Sequence, residues 1–584
     1  MARGLDNASD MTRQHLSMIL PLALTACAGA ATSDTLVPAP IRQAGETLDE
    51  RAGLVLGDEG YGDGATRLTY LDQGWRPAET LWFYFADQGS ILMPYSTFVN
   101  LEQPESDQPF LQPEHLSRFR VLPQRKTPNN PDALPVGFAR HEDQVGLTCA
   151  ACHTTQINYR GTAMRIDGAS ALADVVGLFG ELDAAMKATL ADDNKLARFA
   201  AKASGGDASA ARTSLSATER YFASFLDANH SSTVEGFARM DAIDRIINQV
   251  IRFTSDPKNS IEPNAPNCPP FLWDAPRHDY VQWGGFAPNA DGGALGRNFG
   301  EVIGVFGQIQ VKHYETQAAA KLGYPSSIQG KALVRMEETL SHLESPVWPE
   351  NILPPIDRTL AAHGQSLYQA QCQSCHALID RADPHRKVVA MVTGVDVVGT
   401  DAQSVTNLIS AHAPTGILQG AISPTGETYG ADVPVLALLS DLGTRAVSAQ
   451  PLAAVAALAS AKALGLSKTP KQGNHTQPTS QNPTADLMSY KARPLNGIWA
   501  TAPYLHNGSV PTLHDLLLPT AARPKTFSVG RREFDPKKVG YVSDGQVPFV
   551  LDTSVTGNSN RGHEYGTTLS DADRAALLAY LKTL

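Results

Sequence analysis

Two pentapeptides of one pattern constrain this chain more than any other feature: Cys149-Ala150-Ala151-Cys152-His153 and Cys372-Gln373-Ser374-Cys375-His376. On a helical turn, residues i, i+3 and i+4 share a face, so two thiols and one imidazole converge on one point. Covalent attachment of haem c needs that order: the thiols add to the two vinyl groups of the porphyrin and the imidazole reaches the iron. A redox-active C-x-x-C belongs at a strand-to-helix junction of a thioredoxin-like unit, and zinc knuckles need further Cys or His at short spacing; neither flank supplies these. The motifs predict two covalently bound haem c groups, attached at Cys149, Cys152, Cys372 and Cys375, with His153 and His376 as proximal iron ligands. Of the remaining cysteines, Cys268 in Asn267-Cys268-Pro269-Pro270 reads as a buried, inert thiol, and the other is Cys27.

Composition narrows the partners. The net charge is −11 and no basic run is concentrated anywhere, which argues against nucleic acid as a partner. Residues 14–30, QHLSMILPLALTACAGA, follow Arg13 with a short apolar core and small residues, the pattern of a secretory signal peptide over 1–26. Leu24-Thr25-Ala26-Cys27 resembles the lipobox of bacterial lipoproteins, which implies lipidation at Cys27 and, with Ala28 behind it, a periplasmic protein anchored to the outer membrane. The plainer alternative is an ordinary signal peptide with an incidental Cys27. No apolar run reaches the roughly 18 residues of a bilayer span.

The expected organisation is a Pro- and Gly-rich spacer over 27–75, an N-terminal haem domain over 76–345 with CAACH, and a C-terminal cytochrome c domain over 346–584 with CQSCH. Helical periodicity is read at 171–201, 217–226, 235–253, 328–343 and 453–464, the last as a buried helix, and 263–307 reads as loop. The Pro-rich break 346–355 marks the domain boundary, and the polar stretch 467–485 reads as a solvated excursion. Thr359 to Tyr368 predicts a helix running into the second motif, and a closing helix over 569–584 begins at the cap Ser570-Asp571. A helix, C-x-x-C-H, a long irregular middle and a terminal helix is similar to the cytochrome c fold. The fold class expected is mainly α: two cytochrome c-like haem domains with long irregular loops and few short strands.

Four segments carry a wider resemblance: GLTCAACHT around Cys149, GFARMDA over 236–242, 271–307 with WDAPRHDYVQWGG and RNFGEVIGVFG, and ARPLNGIWATAPYLHNGSVPTL over 492–513. With NSNRGHEYG over 558–566 they are spread over most of 81–584, and they resemble the bacterial di-haem cytochrome c peroxidase superfamily, in the long arm that includes the rubber oxygenases. The pattern departs at Ala238, where the superfamily usually has Gly.

That resemblance implies roles. A cytochrome c fold takes its distal iron ligand from the loop before the last helix, which points to His563, with His506 in PYLHNGS as the alternative distal ligand or a haem-edge residue. No comparable partner is found for the first haem, so its distal side is expected to be open and reactive. Glu301 is the acid/base candidate by family position, against a plain ion pair with Arg297, and Phe299 and Trp283 are candidates to shield bound oxygen and an apolar substrate. Calcium is a further candidate cofactor. The leading function is an exported di-haem oxidoreductase that reduces peroxide at the N-terminal haem, fed through the C-terminal haem by a small periplasmic donor of cytochrome c or cupredoxin type. The alternatives are a rubber oxygenase-like dioxygenase that uses dioxygen to cleave an apolar polyene, and a pure electron-transfer cytochrome.

Overall fold

The computed structural model describes residues 49–57, 61–482, 484–545 and 549–584; the expected signal peptide and Cys27 lie outside these. Over the described chain 37% is helix and 15% strand, a mixed composition with more sheet than the expected mainly helical class. The strands are short, two to six residues each.

The first motif sits in a β frame. Strand Thr162–Asp167 pairs in parallel with Arg67–Tyr70 and antiparallel with Thr154–Tyr159. The hairpin turns through Arg160 and Gly161 at φ 49° and 78°, the doubly positive pair that a tight two-residue turn requires. A second sheet pairs Gln144–Leu147 with Phe138–His141 and Met93–Pro94. Cys149 to His153 is the link from this sheet to the first, so its position is fixed by a strand at either end. Helix Pro77–Phe85 is tied to the first sheet at buried Asp167, which accepts from Tyr84 Oη at 2.5 Å and Thr80 Oγ1 at 3.0 Å.

The expected spacer is a correction. From Asp49 the chain is part of the fold: Arg67–Tyr70 is a sheet strand, Asp63 is buried, and Trp75 donates from Nε1 to the Thr339 carbonyl at 2.9 Å. Nor do residues 346–355 separate two cores. One apolar core runs from Trp75 to Leu581, and another joins Ile247, Phe299 and Val302 to Leu438 and Leu442. Trp348, inside the Pro-rich break, is itself buried against Trp499 with ring centres 5.4 Å apart.

The helices are shifted from their expected limits for local reasons. Residues 171–201 form two, Val175–Ala191 and Asp193–Ala203, because Asp192 ends the first and caps the second through Asn194 N and Lys195 N. Helix Ala242–Thr254 begins only where Asp241 caps it, and Ala238 just before it holds φ 66°, the left-handed region that favours the glycine usual there. The segment read as loop contains helix Gly293–Gly304. Helix Pro451–Ala463 is half-buried, not buried: Ala453, Ala457 and Ala461 face the protein while Leu452 is 74% exposed. Among the described residues no single helix is long and apolar enough to cross a membrane.

The second motif ends a helix. Asp357 caps Arg358–Gln371 by accepting from Leu360 N, and Ala361, Gly364 and Tyr368 form its buried stripe. That stripe packs on the terminal helix Asp571–Leu581, capped by Ser570. At Gly364 a Cβ would run into the Ala576 carbonyl, so only glycine lets the two backbones cross this closely.

Candidate functional site

Both motifs adopt the same turn. His153 N donates to the Cys149 carbonyl at 3.0 Å and His376 N to the Cys372 carbonyl at 2.8 Å, and in each the second Cys N reaches the first Cys carbonyl at 3.2 Å. This winds i, i+3 and i+4 onto one side. Thr148 holds the first turn in place, accepting from Ala150 N and donating to the Tyr84 carbonyl. All four motif cysteines are free of disulfides.

Each turn faces its own cavity. The first, about 1890 Å³ including its mouth, is lined by Cys149, Cys152, His153, Glu301, Trp283 and a largely apolar surround. The second, about 1510 Å³, is lined by Cys372, Cys375, His376, His506 and His563. Cys268, Pro269, Phe271, Trp283, Lys491 and Arg493 border both, so one wall separates two haem-motif cavities.

In the second cavity His563 stands across from His376, ring centres 6.1 Å apart. Metal–imidazole bonds of about 2.0–2.1 Å on either side, plus about 1.1 Å from each nitrogen to its ring centre, require about 6.3 Å. The His376 Nδ1–H donates to the Arg493 carbonyl at 2.7 Å, which leaves Nε2 with its lone pair toward the cavity. Burial lowers the His376 pKa and takes that of His563 to about 3, with His376 and Arg523 adding to the shift, so both rings are neutral. His506 lines the same cavity but is stacked on Tyr490, ring centres 4.1 Å apart, and burial takes its pKa to about 3.

The first cavity is different. Burial takes the His153 pKa to about 4, partly opposed by the Pro270 carbonyl, so this imidazole also keeps a lone pair. Another imidazole on its wall, His278, is held through Nδ1 by Lys491 Nζ at 2.5 Å. Helix Gly293–Gly304 delivers Glu301, whose Oε1 accepts from Gln282 Nε2 at 2.8 Å and whose Oε2 pairs with Arg297 at 3.1 Å. Arg297 is also bound to Glu337 at 2.6 Å; burial disfavours its charge, but Glu301 and Glu337 outweigh this and raise its pKa. Glu301 is therefore both on the cavity and in the ion pair. Gln282 holds φ 67°, a backbone state costly for a residue with a side chain.

Two of the expected catalytic residues keep a place at the cavity and one does not. Trp283 lies in the shared wall, its Nε1–H donating to the Cys268 carbonyl at 2.8 Å. Phe299 is corrected: two positions from Glu301 on the same helix, it points away from the cavity into the core and is fully buried there. The aromatic lining comes instead from Phe179, Phe225, Phe286 and Phe306, which periodicity alone marked as ordinary helix or loop apolars. Neither spacing nor pattern marks Lys491, Arg493 or His278 in the sequence, although Arg493 and His278 fall in the ARPL and WDAPRHD segments. Arg239 ties loops together, donating to the Asn507 carbonyl and to Asn558 Oδ1, and Asp241 accepts from Ala265 N.

Uncharacterized protein y4iJ of Sinorhizobium fredii (strain NBRC 101917 / NGR234) is 31% identical over 589 aligned residues, covering 89% of this chain and 93% of its own. The chain belongs to the y4iJ family. Uncharacterized protein y4iM of the same strain is 46% identical over 91 residues, 14% of this chain and 21% of its own. A family model described as RoxA-like, cytochrome c-like matches residues 489–528, the segment bearing Tyr490, Lys491, Arg493 and His506. The match supports a relationship to rubber-oxygenase-like di-haem cytochromes, and a cytochrome c-like domain implies covalently bound haem c. The residues of both cavities suit that group: paired thiols and a neutral imidazole on one turn, in an apolar chamber.

Proposed function

We propose that this chain is an exported di-haem c-type oxidoreductase that reduces a peroxide at the first cavity with electrons relayed through the second. The observation that carries it is the inequality of the two centres. His563 faces His376 with ring centres 6.1 Å apart, so the two imidazoles would hold one iron between them, whereas the first cavity is lined by the motif's imidazole and by a fixed carboxylate, Glu301. When bound, haem supplies a redox iron that carries electrons if six-coordinate and takes an oxygen species if a position is open.

The rest falls to the chain. His153 and His376 would hold the irons of the bound haems, and the paired thiols of each motif would hold the porphyrins. Gln282 Nε2 and Arg297 fix the two oxygens of Glu301, so its carboxylate can take the proton from one peroxide oxygen and return it to the other. Peroxide, two protons and two electrons then give water. Trp283 and Phe271 in the common wall keep water out of the path between the centres. The donor is a small periplasmic redox protein that meets the chain at the second motif, where Gln373 and Ser374 are exposed. Lipidation at Cys27 would keep the chain at the outer membrane, and calcium between the haems belongs to the same family expectation.

A second reading, oxygen-dependent cleavage of an apolar polyene, is favoured by the Phe179, Phe225, Phe286 and Phe306 wall and by the RoxA-like match. One assay separates them. Peroxide-dependent oxidation of a reduced small cytochrome supports the first reading; inertness there, with carbonyl-ended fragments from polyisoprene under oxygen, establishes the second.

A further inference from the structure

Lys491 and Arg493 stand two residues apart at the end of strand Ser489–Ala492, so their side chains leave the backbone on the same side. Both line both cavities, and they are only 5% and 7% exposed. A buried cation needs an anion, because desolvating it alone is costly. Neither has one. Lys491 Nζ reaches His278 Nδ1 at 2.5 Å and the Tyr280 carbonyl at 2.7 Å, both uncharged. The Arg493 guanidinium lies 3.6 Å over the Phe271 ring, and its buried Nε has no hydrogen-bond partner among the described residues.

The nearby carboxylates are already engaged. Asp274 is paired with Arg386 at 2.5 Å. Asp279 accepts from Ala390 N and Tyr280 N, each at 2.9 Å, and from Thr469 Oγ1. The wall therefore carries two buried basic side chains that no carboxylate among the described residues pairs, facing two chambers that are otherwise largely apolar. Arg493 also links the centres directly, since its carbonyl holds the His376 ring and its guanidinium borders the cavity of His153.

We propose that Lys491 and Arg493 form a carboxylate cradle for the propionate groups of the bound porphyrins. The proposal rests on the di-haem reading above. Each haem carries two propionates, its only charged edge, and a guanidinium is suited to take a carboxylate through two parallel hydrogen bonds. A fixed cation beside a centre also favours its ferrous over its ferric state, so the cradle raises the midpoint potential of whichever haem it holds.

The test is spectroelectrochemical titration of the intact holoprotein, with covalent haem first counted by mass spectrometry. Arg493→Gln is expected to keep both haems and to lower the midpoint potential of at least one, with Arg493→Lys restoring most of the shift. Unchanged potentials in Arg493→Gln overturn the proposal. So does an equal fall in Arg493→Lys, which would mark the residue as packing. If Arg493→Gln does not accumulate, Lys491→Gln serves in its place, a fall supporting the cradle and no change overturning it. Wild-type protein without two covalent porphyrins would instead remove the di-haem reading on which the proposal stands.

Discussion

At Cys149 the C-x-x-C-H turn is strung between two strands and its Ala150 lies in the main core, whereas at Cys372 the same turn ends a helix and leaves Gln373 and Ser374 in solvent. The backbone hydrogen bonds of the two turns are nevertheless the same. The five-residue pattern thus determines its own local geometry in either frame. What surrounds it decides the chemistry: an imidazole faces the exposed motif, and a buttressed carboxylate lies on the cavity of the buried one. Exposure suits a centre that receives electrons, and enclosure suits one that must exclude water from a reacting oxygen species.

The largest effect expected comes from removing either pair of thiols. Cys149→Ala with Cys152→Ala should halve the covalently bound porphyrin seen by mass spectrometry and abolish turnover. Cys372→Ala with Cys375→Ala should halve it equally while leaving the first centre attached but without an electron supply. Donor-dependent peroxide turnover surviving in either double variant would break the division of labour. Next, Glu301→Gln should lower peroxide reduction by about 10²–10⁴-fold, the usual scale for a general acid–base, with haem content and the second centre unchanged. An enzyme that loses nothing would reduce Glu301 to the partner of Arg297.

A structural contrast follows. Gly364→Val places side-chain atoms against the Ala576 backbone and should cost about 1–3 kcal/mol or more in thermal or denaturant unfolding, loosening the second motif first. The smallest effect concerns His506. Its folded pKa, about 3, is depressed below the roughly 6.5 of an unfolded chain, so the unfolded state binds the extra proton between those values. The stability its neutrality provides is present above about pH 6.5 and declines as pH falls toward 3. His506→Phe should flatten that part of the Tm–pH curve; an unaltered slope would mean that the ring is not a buried neutral stacker.

The sequence made the site more legible than the fold. Spacing alone identified six residues of the two motifs, because covalent attachment demands a fixed order on one turn. His563 was singled out on another ground, the resemblance to the cytochrome c fold together with its place before a terminal helix that the Ser570 cap announces. Less could be seen where long-range contacts decide. Phe299 and Glu301 share a helix that glycines at 293, 296, 300 and 304 disguised as loop, and only the helix shows that they face opposite ways. The strand Arg67–Tyr70 is recruited by a partner almost a hundred residues away, and four residues with no clear alternation carry little signal of that. Lys491 and Arg493 look like ordinary surface cations until burial exposes the missing anion.

The claim that the two centres differ in coordination is tested most directly by low-temperature electron paramagnetic resonance of the resting ferric protein. The account predicts one low-spin signal from a bis-histidine centre, converted to high spin in His563→Ala with both haems still attached, together with one high-spin signal from the first cavity. Two low-spin centres in the wild type, or a low-spin signal indifferent to His563→Ala, would contradict it.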